Sequence, residues 1–535
     1  MKFKSPASTI AAIKLLTKRS RIVFLAVVFL CITVFPNFLH AQPRQTVADS
    51  LQKFILTPQA PKTPRINGPR VFGVRPGSPF LYTIPASGQR PMTFDVQNLP
   101  GGLVLDNKTG QITGVLHKKG DYTVTLYAKN ALGKAGRKFK IIAGDLIALT
   151  PPMGWNSWNV WGISVDDKKT RAAADELVSS GLINYGWNYV VVDGGWTVVP
   201  GSNDPLLNGD AYDAQGKINA NHKFPDMNRL TKYIHDKGLK FGLHTSPGPI
   251  TCSPLGFTSL YGHEREGAQR FFDWGVDYIK YDWCSYTHIA KDNSLAELKK
   301  PFVLMRKILD SIKRDIVFSI NPGLQGRKNQ PWTWGKEVGA NMWRTTGDIT
   351  DTWVSMSRIG FSQQYANYAQ PGHWNDPDML LVGYLGWGPE VRYTRLTADE
   401  QYTHMSLWSL LSAPLFIGCD LNRLDAFTYS LITNTEVLDV DQDPLGKQAS
   451  LVSTDGDLLV YSKPLEDGAI AVGLFNKGLK KAKVTARWSD LKISEKQVVH
   501  DLWRQKDLGS FADAFSADVA PHGVVLVKIK PVAKR

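Results

Sequence analysis

The sequence predicts an α/β chain whose centre is a parallel (β/α)8 barrel with a β-sandwich on either side, and three observations predict it. From Thr150 to about Pro444, apolar runs of strand length alternate with stretches of helical period. Before that stretch lie short alternating runs separated by glycine-containing turns, and after it short β runs return. The length, 535 residues, exceeds one ordinary core and leaves room for a barrel of about 250 to 300 residues with two smaller units.

The strand-length runs of the centre are YVVVD (189–193), KFGLHT (240–245), DYIKYD (277–282), IVFSIN (316–321) and APLFIG (413–418). Between them, residues 168–182, 227–240 and 295–314 carry apolar residues at helical spacing. Repeated βαβ units of this kind close into a barrel, expected over residues 149–444. An open doubly wound sheet is the alternative, but no Gly-x-Gly-x-x-Gly turn follows an early strand. On the N-terminal side, FLYTI, FDVQNL, YTVTLYA and KFKII are punctuated by Gly-Gly, Asn-Lys-Thr-Gly and Lys-Lys-Gly turns, which predicts a small sandwich over 70–145. The Pro-rich stretch Thr57–Pro69 places an extended linker in residues 42–69. LLVYSK, AIAVGLFN, AKVTARW and VVLVKIK predict a C-terminal antiparallel sandwich over 445–535.

Residues 1–41 read as a secretory signal peptide: six basic residues and no acid up to Arg21, an apolar run from Ile22 to Phe35, and Ala41 before Gln42. An uncleaved anchor is the competing reading, against which the run is short of the about 20 residues a span needs. Export, without stable membrane insertion after cleavage, is therefore expected. The net charge of +15 suggests nucleic acid until it is divided along the chain. Gln42–Asp145 holds 15 Lys+Arg against 5 Asp+Glu, and everything after Asp145 is near neutral. A near-neutral main body argues against nucleic acid as the substrate, since phosphate binding needs clustered positive charge at the site, so no nucleic-acid partner is expected. Cys31 leaves with such a leader; the three cysteines that remain, Cys252, Cys284 and Cys419, are an odd number and match no zinc spacing, and His263-Glu264 lacks the second histidine of a zinc-protease helix, so it reads as a surface helix start. No metal and no cofactor is expected.

In a barrel the reactive groups stand at the C-terminal ends of the strands. Asp193 ends YVVVD, Lys280 and Asp282 end DYIKYD, and Asp348 follows MWRTTG. A lone Asp at a strand end can be only a helix cap or a loop ion pair. Lys280 and Asp282 are harder to dismiss, because strand alternation puts them on one side, where the ammonium keeps the carboxylate ionised.

Nine strings carry a resemblance: PPMGWNSW at Pro151, VVVDGGW at Val190, FPDMNRL at Phe224, HDKGLKFGLHTSPGPITC at His235, WGVDYIKYDWC at Trp274, MWRTTGDITDTW at Met342, GHWNDPDML at Gly372, APLFIGCDL at Ala413 and DQDPLGKQ at Asp441. In these, and in their order, residues 150–448 resemble glycoside hydrolase family 27, which contains α-galactosidases and α-N-acetylgalactosaminidases. The resemblance implies a TIM-type barrel and a carbohydrate substrate, with retaining release of terminal α-galactosyl residues. It implies Asp282 as nucleophile and Asp348 as general acid/base, with sugar contacts from Trp158, Asp193, Lys280, Arg344, Asp378 and Met379. It also implies a Cys252–Cys284 disulfide, which leaves Cys419 as a buried small hydrophobe. In such a mechanism Asp282 is ionised and Asp348 carries a proton, favoured by closeness to Asp282 and partial burial and opposed by Arg344. The segment NLPGGLVLDNKTGQITG resembles immunoglobulin-like modules that precede secreted bacterial carbohydrate enzymes.

Two departures concern the glycone. Asp193-Gly194 stands where the family commonly has two aspartates, and Asn321-Pro322-Gly323 stands where the galactosidases have Cys-Glu-Trp. The resemblance therefore also admits an α-N-acetylgalactosaminide or a β-L-arabinopyranoside. A non-catalytic glycan-binding barrel would be expected to have lost a carboxylate, and an adhesion role would rest on the basic sandwich alone, whose charge reads more simply as a solvated face.

Overall fold

The computed structural model describes residues 50–323 and 329–532; the expected signal peptide lies outside them. The eight barrel strands are Met153–Asn156 (β1), Tyr189–Val192 (β2), Lys240–Thr245 (β3), Tyr278–Asp282 (β4), Val317–Asn321 (β5), Met342–Arg344 (β6), Trp374–Asp376 (β7) and Leu415–Ile417 (β8). All pair in parallel, in sequence order, and β1 returns to pair with β8. The ring closes just beyond β7, where Leu380 N donates to Phe416 O (2.8 Å) and Leu380 O accepts from Gly418 N (3.1 Å).

The principal helices between successive strands are Asp167–Ser179 (α1), Met227–Asp236 (α2), Glu264–Trp274 (α3), Leu295–Asp310 (α4), the single turn Pro331–Trp334 (α5), Trp353–Phe361 (α6) and Ala398–Leu410 (α7). Most start at a side-chain cap that the sequence supplies. Asp166, Asp226, Ser294 and Thr352 each accept from the backbone N–H three residues on, and Thr397 with Glu400 closes a capping box. The His263-Glu264 pair sits at the start of α3, as read from the sequence.

Inside the ring, Tyr189, Tyr278, Met342 and Phe416 come from alternate strands and fill the lower layer. Their size is accommodated by glycines between them. A β-carbon on Gly242 would lie 2.8 Å from the Tyr278 ring, and one on Gly154 would lie 2.5 Å from Tyr189 Cβ. The floor is thus closed by aromatic packing, and the strand ends above it carry the polar residues.

The N-terminal sandwich packs a four-stranded sheet (71–74, 133–143, 120–130, 93–97) on a three-stranded one (79–83, 111–115, 103–105), around Phe80, Tyr82, Ile112, Leu126, Phe139 and Ile141. It sits against the N-terminal ends of the barrel strands. Asp315, just before β5, accepts from Arg75 Nε (2.8 Å), Arg75 N (2.9 Å) and Ser78 Oγ (3.0 Å), and Lys240 lies over the Phe72 ring. Part of the basic excess read as a solvated face is therefore engaged with barrel acids, Arg65 with Asp439 included. The stretch expected as an extended linker is also packed. Arg65–Ile66 pairs with Ala86–Ser87, and Phe54 O and Leu56 N both bond the Tyr402 hydroxyl on α7, because the chain's polar backbone groups find partners there.

The C-terminal sandwich is antiparallel, six strands (450–455, 458–464, 470–476, 524–531, 497–501, 506–511) facing a pair (482–487, 514–519). Helix α7 lies between it and the barrel and is buried all round except at Asp399. This explains why α7 shows no amphipathic stripe. Among the described residues no helix is long and apolar enough to cross a membrane.

Candidate active site

Alternation along β3 and β4 sends His244, Lys280 and Asp282 into the barrel mouth, with His244 and Lys280 in register. Asp193, one residue past β2, faces them. Its Oδ2 accepts from Lys280 Nζ (2.9 Å) and from Asn156 Nδ2 on β1 (3.0 Å), while its Oδ1 accepts from Gly194 N (2.9 Å). Burial alone would raise the Asp193 carboxyl, but Lys280 and His244 outweigh it and hold it below the usual range.

Asp282 is buried as well. Its Oδ2 lies 3.0 Å from His244 Nε2 and 3.5 Å from Lys280 Nζ, while Oδ1 accepts no hydrogen bond within the protein. Desolvation again acts to raise the carboxyl. Lys280, His244 and Arg344 overcome it and hold Asp282 well below the usual carboxylate range. The reciprocal effect falls on Lys280: burial disfavours its charge, and the two aspartates raise it above the ordinary lysine value. The expectation that Lys280 keeps Asp282 ionised therefore has its geometry.

Arg344, at the end of β6, is buried and ties the other half of the site together. Its Nη2 donates to Asp348 Oδ1 (3.0 Å) and lies 2.8 Å from Asp378 Oδ2. Asp378 has φ of 87°, rare for a residue other than glycine, and is fixed there by bonds from its N to Asp376 Oδ1 (2.8 Å) and from Trp408 Nε1 to its O (2.7 Å). Burial pushes the Asp378 carboxyl up to about 6, with Arg344 opposing and Asp348 and Asp376 adding to the rise. Met379 follows it, buried, and lines a small cavity beneath the site with Lys280, Arg344 and Asp376.

The partial burial expected of Asp348 is not found: its side chain is 80% exposed. Its neighbour Ile349 is the residue drawn inward, with its N bonded to Asp378 Oδ2 (2.9 Å), which turns Asp348 outward on the loop. Trp158 opens the short helix after β1 and is part-exposed at the mouth; its Cζ3 lies 3.4 Å from where a β-carbon on Gly194 would sit. The Asn321-Pro322-Gly323 turn ends β5, and Asn329 Nδ2 donates to the carbonyls of Pro322 (3.0 Å) and Gly323 (2.8 Å).

The structure adds three residues that the sequence reading did not single out: Asn156, His244 and Asp376. The inward alternation that exposed Lys280 and Asp282 on β4 applies equally to His244 on β3 and was a usable signal for it. Cys252 and Cys284 are bonded, with Cα atoms 4.7 Å apart, and Cys419 is a buried free thiol raised by burial. Donor atoms of His244, Asp282 and Cys284 lie within 4.8 Å of one another, but the Cys284 sulfur, being in a disulfide, is no thiolate ligand.

A parallel barrel with carboxylates, a lysine and an arginine gathered at its strand ends has the architecture of a barrel enzyme's mouth. The chain matches the model of the alpha galactosidase A family over residues 150–443, that of the alpha galactosidase C-terminal beta sandwich domain over 455–529, and that of an Ig domain over 63–143. It is 41% identical over 390 residues to an alpha-galactosidase of Coffea arabica, covering 72% of this chain and 95% of that one. Among solved structures, one from Bacteroides fragilis NCTC 9343 is 31% identical with a TM-score of 0.80, over 89% of this chain and 99% of that one. A GH27 β-L-arabinopyranosidase of Geobacillus stearothermophilus is 31% identical with a TM-score of 0.63, over 72% of this chain and 98% of that one. The chain belongs to the alpha-galactosidase family of glycoside hydrolases, family 27.

Proposed function

We propose that the protein is a retaining exo-glycosidase that releases terminal α-galactosyl residues, with Asp282 as nucleophile and Asp348 as general acid/base. The state of Asp282 carries this reading. A carboxylate at a desolvated strand end with Lys280 at 3.5 Å and His244 at 3.0 Å is favoured in its ionised form, which suits covalent attack rather than proton donation. Asp348 has the complementary placement: it is exposed on a loop at the mouth, where the leaving group and then the incoming water have access to it. In the first half, an Asp282 oxygen bonds to the anomeric carbon as the glycosidic bond breaks and the Asp348 proton passes to the leaving oxygen. In the second, Asp348 takes a proton from water, whose oxygen attacks the same carbon and frees Asp282. Two displacements at one carbon retain its configuration. Asp193, Lys280, Arg344 and Asp378 supply acceptors and donors for sugar hydroxyls, and Trp158 and Met379 supply apolar contact.

The same chemistry on a β-L-arabinopyranoside is the second reading, favoured by the absence of a side chain at Gly194 and by the Geobacillus relative. Export is part of the proposal: the leader pattern of residues 1–41 and the Cys252–Cys284 disulfide both suit an oxidising compartment. N-terminal sequencing of the protein from the medium or periplasm tests it, and full-length protein retained in the cytosol refutes it.

The activity test is release of p-nitrophenol from the α-galactoside, the α-N-acetylgalactosaminide and the β-L-arabinopyranoside, with NMR of the anomer first formed. Asp282→Ala should lose several orders of magnitude in kcat and regain activity with azide, which replaces the nucleophile. An inverted anomer, or a variant retaining more than about a tenth of wild-type kcat, would overturn the assignment.

A further inference from the structure

His244 belongs to none of the sugar-contact positions implied by the resemblance, yet it touches the residue on which the mechanism turns. It is 4% exposed, inward on β3, with Nε2 at 3.0 Å from Asp282 Oδ2. Its other ring nitrogen, Nδ1, is buried without a hydrogen-bond partner. A residue at 194 could provide one, since a β-carbon there would lie 4.0 Å from Nδ1, but glycine provides none. The ring is therefore bonded on one side only. Asp282 alone selects the tautomer, because the carboxylate accepts and Nε2 must carry the hydrogen.

We propose that His244 is a positioning residue for the nucleophile: through Nε2–H it fixes the rotation of the Asp282 carboxylate and, with the Lys280 ammonium 3.5 Å away, clamps Oδ2. The clamp spans adjacent strands, so the rigid β3–β4 ladder sets the carboxylate plane. Five other charged groups bear on the same carboxylate region: Lys280 on β4, Asp193 after β2, Arg344 on β6, Asp376 on β7 and Asp378 just beyond it. Among the described residues, His244 and Lys280 are the only basic side chains within 4 Å of the Asp282 carboxylate oxygens. Because Nδ1 is sealed from solvent, His244 acts on the nucleophile and not on the sugar.

The inference rests on the assignment of Asp282 as nucleophile, and the test separates the two. Steady-state kinetics across pH are measured for wild type, His244→Phe and His244→Gln, on whichever glycoside of the panel the wild type hydrolyses fastest, with thermal unfolding as the check on folding. Phenylalanine keeps the ring volume without the donor, and glutamine returns an N–H close to the Nε2 position. His244→Phe should lose ten- to a hundredfold in kcat with little change in KM. Losing a donor to the ionised form moves the acidic limb of kcat/KM against pH upward. His244→Gln should recover most of the rate and return the limb toward wild type. If the phenylalanine variant does not fold, His244→Asn, one methylene too short to reach Asp282, takes its place. Equal loss in the donor and non-donor variants, an unmoved acidic limb, or a change confined to KM overturns the positioning role and leaves the nucleophile standing. Hydrolysis of none of the glycosides by wild type overturns both.

Discussion

Replacing Gly194 by aspartate tests what the missing carboxylate does to glycone choice. Gly194 lies outside the left-handed region, so its backbone accepts a side chain without strain. The added β-carbon would meet Trp158 Cζ3 at 3.4 Å and His244 Nδ1 at 4.0 Å, both ordinary contacts, and no backbone atom nearer. From there the carboxylate reaches into the mouth beside Asp193, where the resemblance places hydroxyls on the C4/C6 side of the sugar. A hydrogen bond to a charged group is worth about 1.5 to 3 kcal/mol, or roughly one to two decades in kcat/KM when made in the transition state. Like-charge proximity to Asp193 and Asp282 works against it, so the lower decade is the expected gain. The assay is the ratio of kcat/KM for p-nitrophenyl α-galactoside to that for p-nitrophenyl β-L-arabinopyranoside, in wild type and in Gly194→Asp. The ratio should rise about tenfold, because only galactose carries the hydroxymethyl group. An unchanged ratio in a folded, active variant would mean that another loop residue reads that group, and the argument from Gly194 would fail.

Lys280→Met removes an ammonium 3.5 Å from Asp282, a gross interaction of about 5 kcal/mol at an effective dielectric constant of 20. With His244 and Arg344 remaining, the acidic limb of kcat/KM should move up by about 1 to 2 pH units; a limb that stays put refutes the role. Mass spectrometry of non-reduced peptides should find the Cys252–Cys284 crosslink and Cys419 as a thiol that alkylates only on unfolding. Removing the crosslink, which spans 32 residues, should destabilise the fold by about 3 to 4 kcal/mol on the chain-entropy model, measured by denaturant unfolding. His500 has both ring nitrogens on carboxylates, Glu436 beside the barrel (2.8 Å) and Asp507 of the C-terminal sandwich (2.7 Å). Burial disfavours its charge but the two carboxylates raise it above the ordinary histidine value, so its stabilisation is complete below about pH 6.5 and is lost as pH rises through the raised value. The difference in Tm between wild type and His500→Gln should therefore be present at pH 6 and shrink above it, and a difference independent of pH would refute the linkage.

The barrel was legible because its strands are buried on both faces and most end in polar or charged residues, so KFGLHT and DYIKYD stand out without any partner in view. Asp193, Lys280, Asp282 and Arg344 follow from strand alternation and from the resembling strings. His244 escaped the sequence reading although alternation points it inward, because a single histidine in a strand draws attention only once Lys280, its neighbour across the ladder, and Asp282 are seen to face the same mouth. Asp376 was passed over in NDPDML for the same reason, since only its bond to the Asp378 N–H reveals what it does. The orientation of Asp348 depends on Ile349 being drawn inward to Asp378, a contact between segments far apart in sequence. Helix α7 has no legible stripe because its two faces are buried by different parts of the molecule.

Helix α7 has a consequence for how this chain can be rebuilt. On its outer side Trp503 Nε1 donates to Ser406 Oγ (2.8 Å), and His522 Nδ1 lies 2.7 Å from Glu400 Oε1. On its inner side Trp408 holds the Asp378 carbonyl, and His404, kept neutral by burial at about 3, accepts from Leu381 N (3.1 Å). One helix thus grips the last module with one set of residues and the Arg344 partner with another. Exchanging that module for a foreign one, as is done with appended binding domains, would re-seat the helix and with it the buried acid that pairs with Arg344. In recombination or truncation libraries the break that leaves the barrel mouth undisturbed therefore lies on the N-terminal side, where the first sandwich abuts the barrel floor, and not at residue 444.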